Sequence, residues 1–400
     1  MYASRRKARY AVSALFLLNG AAFANLVPRY PDIKAALDLS NGQFGIAVAA
    51  YPLGALIAGT LGGAAIRRWH SGRVATLAIL LLSLNLVLIG AAPVWWLFAV
   101  GLFIAGTLDS TADIANNAHG LRVERLYGSS ILNSMHGLWS VGAVIGGVMG
   151  AVAAGARIPL VWHFSAAAAV FIVLALLMSR WMLPGRDLAE AAVSTVPRET
   201  RGRFGLARIL VSLGLIAAAA NMMEDVTATW SAVYLRDSLG TGAVVAGLGF
   251  IALQAAQTVG RFAGDGLVTR FGDRAVARVG ASLAFVGMSL ALVFPTPVTT
   301  IIAFGMVGVG VGTLIPGAIR TAESVPGLPQ GTGLTWVSTT IRIGLFLSPP
   351  LVGFLADLTS LRVALIVMPI LALVILAASR TLGRRQAASP EPQGGVHRGR

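Results

Sequence analysis

The chain alternates between apolar runs of membrane-spanning length and short polar connections. Runs of roughly 20 apolar residues recur along almost the whole length, and each can cross a ~30 Å hydrocarbon core. They lie at 10–29, 43–66, 73–92, 94–118, 130–154, 159–183, 207–235, 243–267, 275–294, 298–319, 332–355 and 361–382. The runs are continuous and lack strand-type alternation, so helices are the expected spanning element and an outer-membrane barrel is excluded. The pattern predicts an all-α membrane protein of twelve transmembrane helices in two pseudo-symmetric six-helix bundles.

Two bundles are expected because the chain matches itself under one ungapped shift of 202 residues. That shift pairs Asn19 with Asn221, Leu37 with Leu239, Gly45 with Gly247 and Gly62 with Gly264. It also pairs Arg68 with Arg270, Pro93 with Pro295, Gly106 with Gly308 and Gly142 with Gly344. Glycine matches alone would be weak in a Gly-rich chain, but one offset also aligns turns and span boundaries. The expected units are a first bundle at 1–183, a cytoplasmic linker at 184–206, a second bundle at 207–383 and a disordered basic tail at 384–400. Parallel repeats of this kind place a central cavity between the halves, near the bilayer midplane.

Composition agrees with the membrane reading. Hydrophobic residues make up 56% and charged residues 12% of 400, and the mean hydropathy is +0.77, whereas soluble domains are about a quarter charged. The net charge of +15 is spread over connections and termini, not gathered on one face, which argues against nucleic-acid binding. With the N-terminus inside, five of the 31 Lys and Arg residues fall outside, two within spans and 24 in the cytoplasm. This bias predicts a multi-pass protein of a bacterial inner (plasma) membrane with both termini cytoplasmic. Arg5, Arg6, Lys7 and Arg9 before an apolar run, with Ala22-Phe23-Ala24, imitate a cleaved leader. The run continues to Val27, which favours a retained first helix. The chain has no Cys, and hence no disulfide or thiolate metal site.

Polar residues inside the spans carry the candidate chemistry, because an ionised group at the bilayer centre costs at least ~2.5–3.5 kcal/mol and needs a partner or a wet cavity. Asp109, Asp113 and Asn116 follow i, i+4, i+7 spacing on the fourth span, with Asn117 beside them. A low dielectric favours the neutral form of a carboxyl group, which suits an interior Asp to carry a proton. The alternative is a stripe that hydrogen-bonds neighbouring helices. The fifth span adds Asn133, His136 and Ser140, which could relay protons, bind solute or simply bridge helices. The seventh holds Asn221, Glu224, Asp225, Thr227, Trp230, Ser231 and Tyr234. Glu224 and Asp225 point about 100° apart, so only one can face a cavity squarely. Trp230 and Tyr234 suit either ligand stacking or an external aromatic belt. Arg342 in the eleventh span needs an anionic neighbour, with Glu224 or Asp225 the expected partner, or an anionic substrate. Gly308, Gly310 and Gly312, and Gly142, Gly146 and Gly150, read as helix-packing surfaces. HExxH, Walker, GxSxG and paired-Cys motifs are absent, so neither an enzyme nor a metal or cofactor is expected.

Gly264-Asp265, followed by Arg270-Phe271-Gly272 and Arg274, resembles the conserved loop between helices 8 and 9 of the major facilitator superfamily. The first-half counterpart, Gly62-Gly63 with Arg67, Arg68, Gly72 and Arg73, has Gly63 in place of the acid. The resemblance implies contacts of Asp265 and Arg270 with nearby helix ends that favour the outward-open state. Asp109 to Asn117, Glu124, Asn133, His136, Ser140, Glu224, Trp230-Ser231 and Tyr234 resemble the bacterial YbjJ/MosC-type subgroup near the fucose–proton symporter. The helix-4 Arg and helix-5 Gly-Pro pair of drug–proton antiporters are missing, which demotes multidrug efflux.

The expected function is alternating-access transport of a small polar organic solute, sugar- or cyclitol-like, coupled to protons. Glu224, Asp109, Asp225, Asp113 and His136 are the proton-coupling candidates. Asn19, Asn116, Asn133, His136, Asn221, Trp230, Tyr234 and Arg342 are the substrate-binding candidates. Arg68, Asp265, Arg270, Gly272 and Arg274 form the candidate switch loop. The expected partners are the solute, protons and the lipid bilayer, and the expected state is a monomer. The rival readings are an exporter of hydrophobic or cationic compounds and a non-transporting sensor or scaffold.

Overall fold

The computed structural model describes residues 2–128, 131–185, 203–325, 328 and 331–382. Most of the expected linker and all of the expected tail lie outside these residues. Among the described residues there is no strand, and twelve helices are long and apolar enough to cross a membrane.

The first half consists of α1 (Tyr2–Leu26), α2 (Asn41–Trp69), α3 (Ser71–Gly90), α4 (Trp95–Tyr127), α5 (Leu132–Gly155) and α6 (Leu160–Ser179). The second consists of α7 (Arg203–Val233), α8 (Ala243–Phe271), α9 (Asp273–Val293), α10 (Pro297–Val311, resuming over Leu314–Glu323), α11 (Thr332–Leu358) and α12 (Leu361–Ala364, resuming over Val367–Ala378). Pro28 turns the end of α1 into a 3₁₀ turn before a last helical piece, Tyr30–Ala36. A π-helical turn, Tyr234–Ser238, extends α7. Such turns re-aim the side chains they carry, and this one brings Arg236 and Asp237 to the end of α1. Ser40 and Thr296 start α2 and α10 with reciprocal capping boxes.

The repeat read from the sequence extends to backbone detail. α2 and α8 are each 29 residues long and lie 202 positions apart. They end in the same way: Arg68 stacks over the Trp69 ring and Arg270 over the Phe271 ring. The next residue has φ 71° and ψ 148° at His70, and φ 83° and ψ 155° at Gly272. Gly106 of α4 lies against the Tyr51 carbonyl of α2, and Gly308 of α10 against the Leu253 carbonyl of α8, again 202 apart on both sides.

Glycines also set the packing of α5 on α1. Gly142, Gly146 and Gly150 meet the carbonyl oxygens of Leu17, Ala21 and Asn25 in turn. A Cβ at any of these glycines would strike backbone, so the ladder brings the two helix axes close. The outer surface is apolar, with Trp162 72% and Leu358 81% exposed. In water this surface would aggregate, but in a bilayer it faces lipid. Exposed Trp95, Trp96 and Phe294 at one end, and Trp69, Trp181 and Phe271 at the other, form two aromatic girdles.

Candidate functional site

The halves touch along only part of their length. With twelve crossings, the start of the first described helix and the end of the last lie on one face, and at the opposite face the halves are joined by charge, aromatic and backbone contacts. Asp32 accepts from Arg29 at 2.7 Å and also bonds Arg236 across the interface. Arg29 is 3% exposed, donates to the Ile158 carbonyl at 2.8 Å and contacts His163 Nδ1 at 3.3 Å. Lys34 and Asp237 add a cross-half pair at 3.4 Å. The Asp357 carboxylate of α11 accepts the Asn41 and Gly42 amides of α2 at 2.9 and 2.8 Å. Deeper in, the Phe44 ring of α2 meets Trp230 of α7 edge-on at 5.3 Å. α5 and α8 meet at Gly155 and Val244, Ala151 and Gly247, and Gly147 and Phe250.

Toward the face that carries the chain ends, the halves part. Gly59 of α2 and Gly266 of α8 have nothing within 4 Å of where a Cβ would stand. Between the halves lies a cavity of about 590 Å³. α5 lines it with His136, Gly137 and Ser140, and α7 with Glu224. α8 adds Gln257, Thr258, Arg261 and Phe262, and α10 adds Ile315, Pro316 and Arg320. The break of α10 at Gly312 and Thr313 falls on this wall.

Polar groups form two strings that face each other. On the first-half wall, Asn117 donates to Asp113 Oδ1 at 3.0 Å, and His136 Nε2 lies 2.9 Å from Asn117 Oδ1. An amide oxygen only accepts, so Nε2 carries the proton in this bond. On the second-half wall, Arg261 faces Glu224 at 3.9 Å. Arg320 is bound to Asp273 at 2.8 Å. Gln257 is 1% exposed, and neither of its amide atoms has a hydrogen-bond partner among the described residues.

Of the sequence candidates, His136 and Glu224 line this cavity, and Asp113 stands behind His136 through Asn117. Glu224 faces it, whereas Asp225 turns to α11 and accepts from Ser348. Asn221, one turn from Glu224, is half-buried with its Nδ2 unpartnered. Asp109 sits deeper, beside Tyr51 and Asn19, and does not line the cavity. Asn19 is 1% exposed. Asn116 is fully buried with both amide atoms unpartnered, and Asn117 makes the bond to His136. Helical rotation explains the correction, because one residue turns the side chain by about 100°. The side chain of Asn133 lies outside the described residues.

Trp230 and Tyr234 are 0% and 1% exposed and belong to the sealed end, not to the cavity wall. Arg342 is exposed and makes no ion pair among the described residues, so the expected Glu224 or Asp225 partnership is replaced by Arg261. In the loop region, Arg68 and Arg270 stack on aromatic rings, Gly272 takes the left-handed backbone and Arg274 is half-buried. The side chain of Asp265 lies outside the described residues. Sequence reading missed Gln257 and Arg261, although their i, i+4 spacing in an apolar helix was a usable signal. Arg261 was overlooked because it stands close to the end of its span.

A sequence model described as Major Facilitator Superfamily matches residues 12–250 and 210–399. An uncharacterized transporter, y4wD, of Sinorhizobium fredii is 29% identical over 93% of this chain and 97% of its own. Membrane protein MosC of Rhizobium meliloti is 27% identical over 96% of this chain and 92% of its own. Among solved structures, the nucleoside transporter NupG superposes with a TM-score of 0.73 at 11% identity, covering 93% of this chain and 98% of its own. A D-xylose-proton symporter gives 0.71 at 15% identity, covering 95% and 99%.

Proposed function

The chain belongs to the major facilitator superfamily, and from that premise we propose that it is a proton-coupled secondary transporter of a small polar organic solute, sugar- or cyclitol-like, working by alternating access. The observation that carries the reading is the cavity between two repeat halves, sealed at one face and lined by Glu224, Arg261, His136 and Gln257. Alternating access requires two end states of one interface, and polar and backbone contacts concentrated at one end fit one of them. The Lys and Arg bias supports cytoplasmic chain ends in a bacterial inner membrane, and on that reading the open cavity corresponds to the inward-open state. No bond of the solute is made or broken in such a cycle.

Glu224 is the proposed proton carrier at the solute, and Asp113, through Asn117, couples to His136 on the facing wall. Solved relatives of the fold, a nucleoside transporter and a D-xylose-proton symporter, support a polar solute and proton coupling. Export of lipophilic cations is disfavoured by Arg261 on the cavity wall, whose charge no close ion pair takes up. The test is solute uptake into proteoliposomes driven by an imposed pH gradient. Wild type is expected to accumulate solute, and Glu224→Gln to equilibrate it without responding to the gradient. Gradient-driven accumulation in that variant would remove Glu224 from the coupling, and absence of flux in wild type would favour the sensor.

A further inference from the structure

We infer that the solute carries an acidic group, that Arg261 is the residue that binds it, and that a proton on Glu224 frees Arg261 to do so. The inference rests on the transport reading and narrows its substrate class to hydroxy acids.

The charged groups of the cavity are not equally available. Arg320 is committed to Asp273 at 2.8 Å. His136 is committed to Asn117, with Asp113 behind it. Asp225, next to Glu224 in α7, is taken by Ser348 of α11. Arg261 and Glu224 remain, and they meet at 3.9 Å, beyond the 2.7–3.2 Å of a direct hydrogen bond. Neither makes a hydrogen bond among the described residues. The Arg261 side chain is 43% exposed and that of Glu224 22%. One turn before Arg261 stands Gln257, buried on the same wall with both amide atoms unpartnered. A guanidinium fork next to an unsatisfied amide matches a carboxylate with a neighbouring hydroxyl.

Charge balance selects among solutes. A cation would meet the guanidinium of Arg261, which is held only loosely by Glu224. A neutral polyol could satisfy Gln257 but would leave the loose Arg261–Glu224 pair unimproved. An acid can take the place of Glu224 in the Arg261 fork only if Glu224 gives up its charge, since otherwise two carboxylates compete for one cation. A proton on Glu224 meets that condition. The proton and the monoanion then enter as a neutral pair, and the charge of the cavity is the same empty and loaded.

The experiment is thermal stabilisation of the purified protein by hydroxy acids from lactate to gluconate, each beside its neutral polyol and its amine. Acids alone are expected to stabilise wild type. Arg261→Gln should weaken acid binding by at least about tenfold, the scale of one charge-assisted hydrogen bond. Arg261→Lys should retain part of the binding, and Glu224→Gln should bind the same acid more tightly with little pH dependence. The unliganded melting temperatures of the variants control for folding. Stabilisation by polyols or amines without acids, or acid binding unchanged in Arg261→Gln, would overturn the inference and leave polar-solute transport standing. Silence of all three classes would overturn it too. Proteoliposome flux separates the two readings: acid uptake that carries net current overturns the neutral pair, and bound acid without flux defeats the transport reading alone.

Discussion

Along α2, Gly45 lies against the Pro349 carbonyl of α11, whereas about four turns further on, at roughly the same angle around the helix, Gly59 faces open space. The same pair of helices is thus in backbone contact at one end and apart at the other. α5 and α8 meet closely from Gly155 to Gly147, whereas beside the cavity, at Gly137, it is the ring of Phe262 that reaches across. The halves are therefore rigid wedges, not flexible walls, because their internal packing is set by carbonyl-against-glycine contacts that tolerate no repacking. What can change is the angle between them. The sealed end holds that angle through Asp32, and at Gly59 no described residue lies within 4 Å of where a Cβ would stand.

Substitutions at the two ends should therefore act in opposite directions. The largest effect is expected for Asp32→Asn, which leaves the buried Arg29 charge without its carboxylate and removes Arg236 from the interface. A loss of about 3 kcal/mol is expected, the scale of breaking a buried ion pair, and thermal unfolding in detergent would measure it. Gly45→Val should wedge the sealed end open at about 2 kcal/mol, an overpacking cost. Gly59→Val should be tolerated in this state yet block closure of the cavity. A single Cys in place of Ile315, introduced into a chain that has no Cys of its own, reports both through its labelling rate. Labelling should fall in Gly45→Val and persist in Gly59→Val, and equal rates would remove the contrast.

His70→Gly is expected to stabilise by about 1 kcal/mol, because His70 holds a backbone conformation that favours glycine and its repeat mate is Gly272. Lys34→Ala should be smallest, at or below about 0.5 kcal/mol, since Asp237 is 43% exposed and water screens the pair.

The fold was legible because membrane insertion and gene-level repetition both write long-range order into sequence. Apolar runs marked the helices, and the shift linking Gly106 to Gly308 located equivalent packing contacts. Boundaries drifted where the helix changes type, as at Pro28, at Gly312 and Thr313, and in the π turn after Val233. The site was legible in part. Glu224, His136 and Asp113 stood out as polar groups in apolar spans. The choice between Asn116 and Asn117, or between Glu224 and Asp225, depends on rotation about a helix axis that neighbouring helices fix. Trp230 and Tyr234 were misplaced because distance along the helix from the cavity is a tertiary quantity. The clasp of Asp32, Arg236 and Asp357 depends on which ends meet, and no local pattern announces it.

The contact of Asp357 with the start of α2 also gives the molecule an internal clock. The Asn41 and Gly42 amides belong to the first turn of their helix, where no carbonyl of that helix can reach them. Their acceptor is supplied by the other half. When the halves part at this end, water takes over from the carboxylate at little net cost, and the two amides become free to trade their protons with solvent. Deuterium uptake at these two positions therefore counts openings of the sealed end, one backbone exchange at a time, without a label or a ligand.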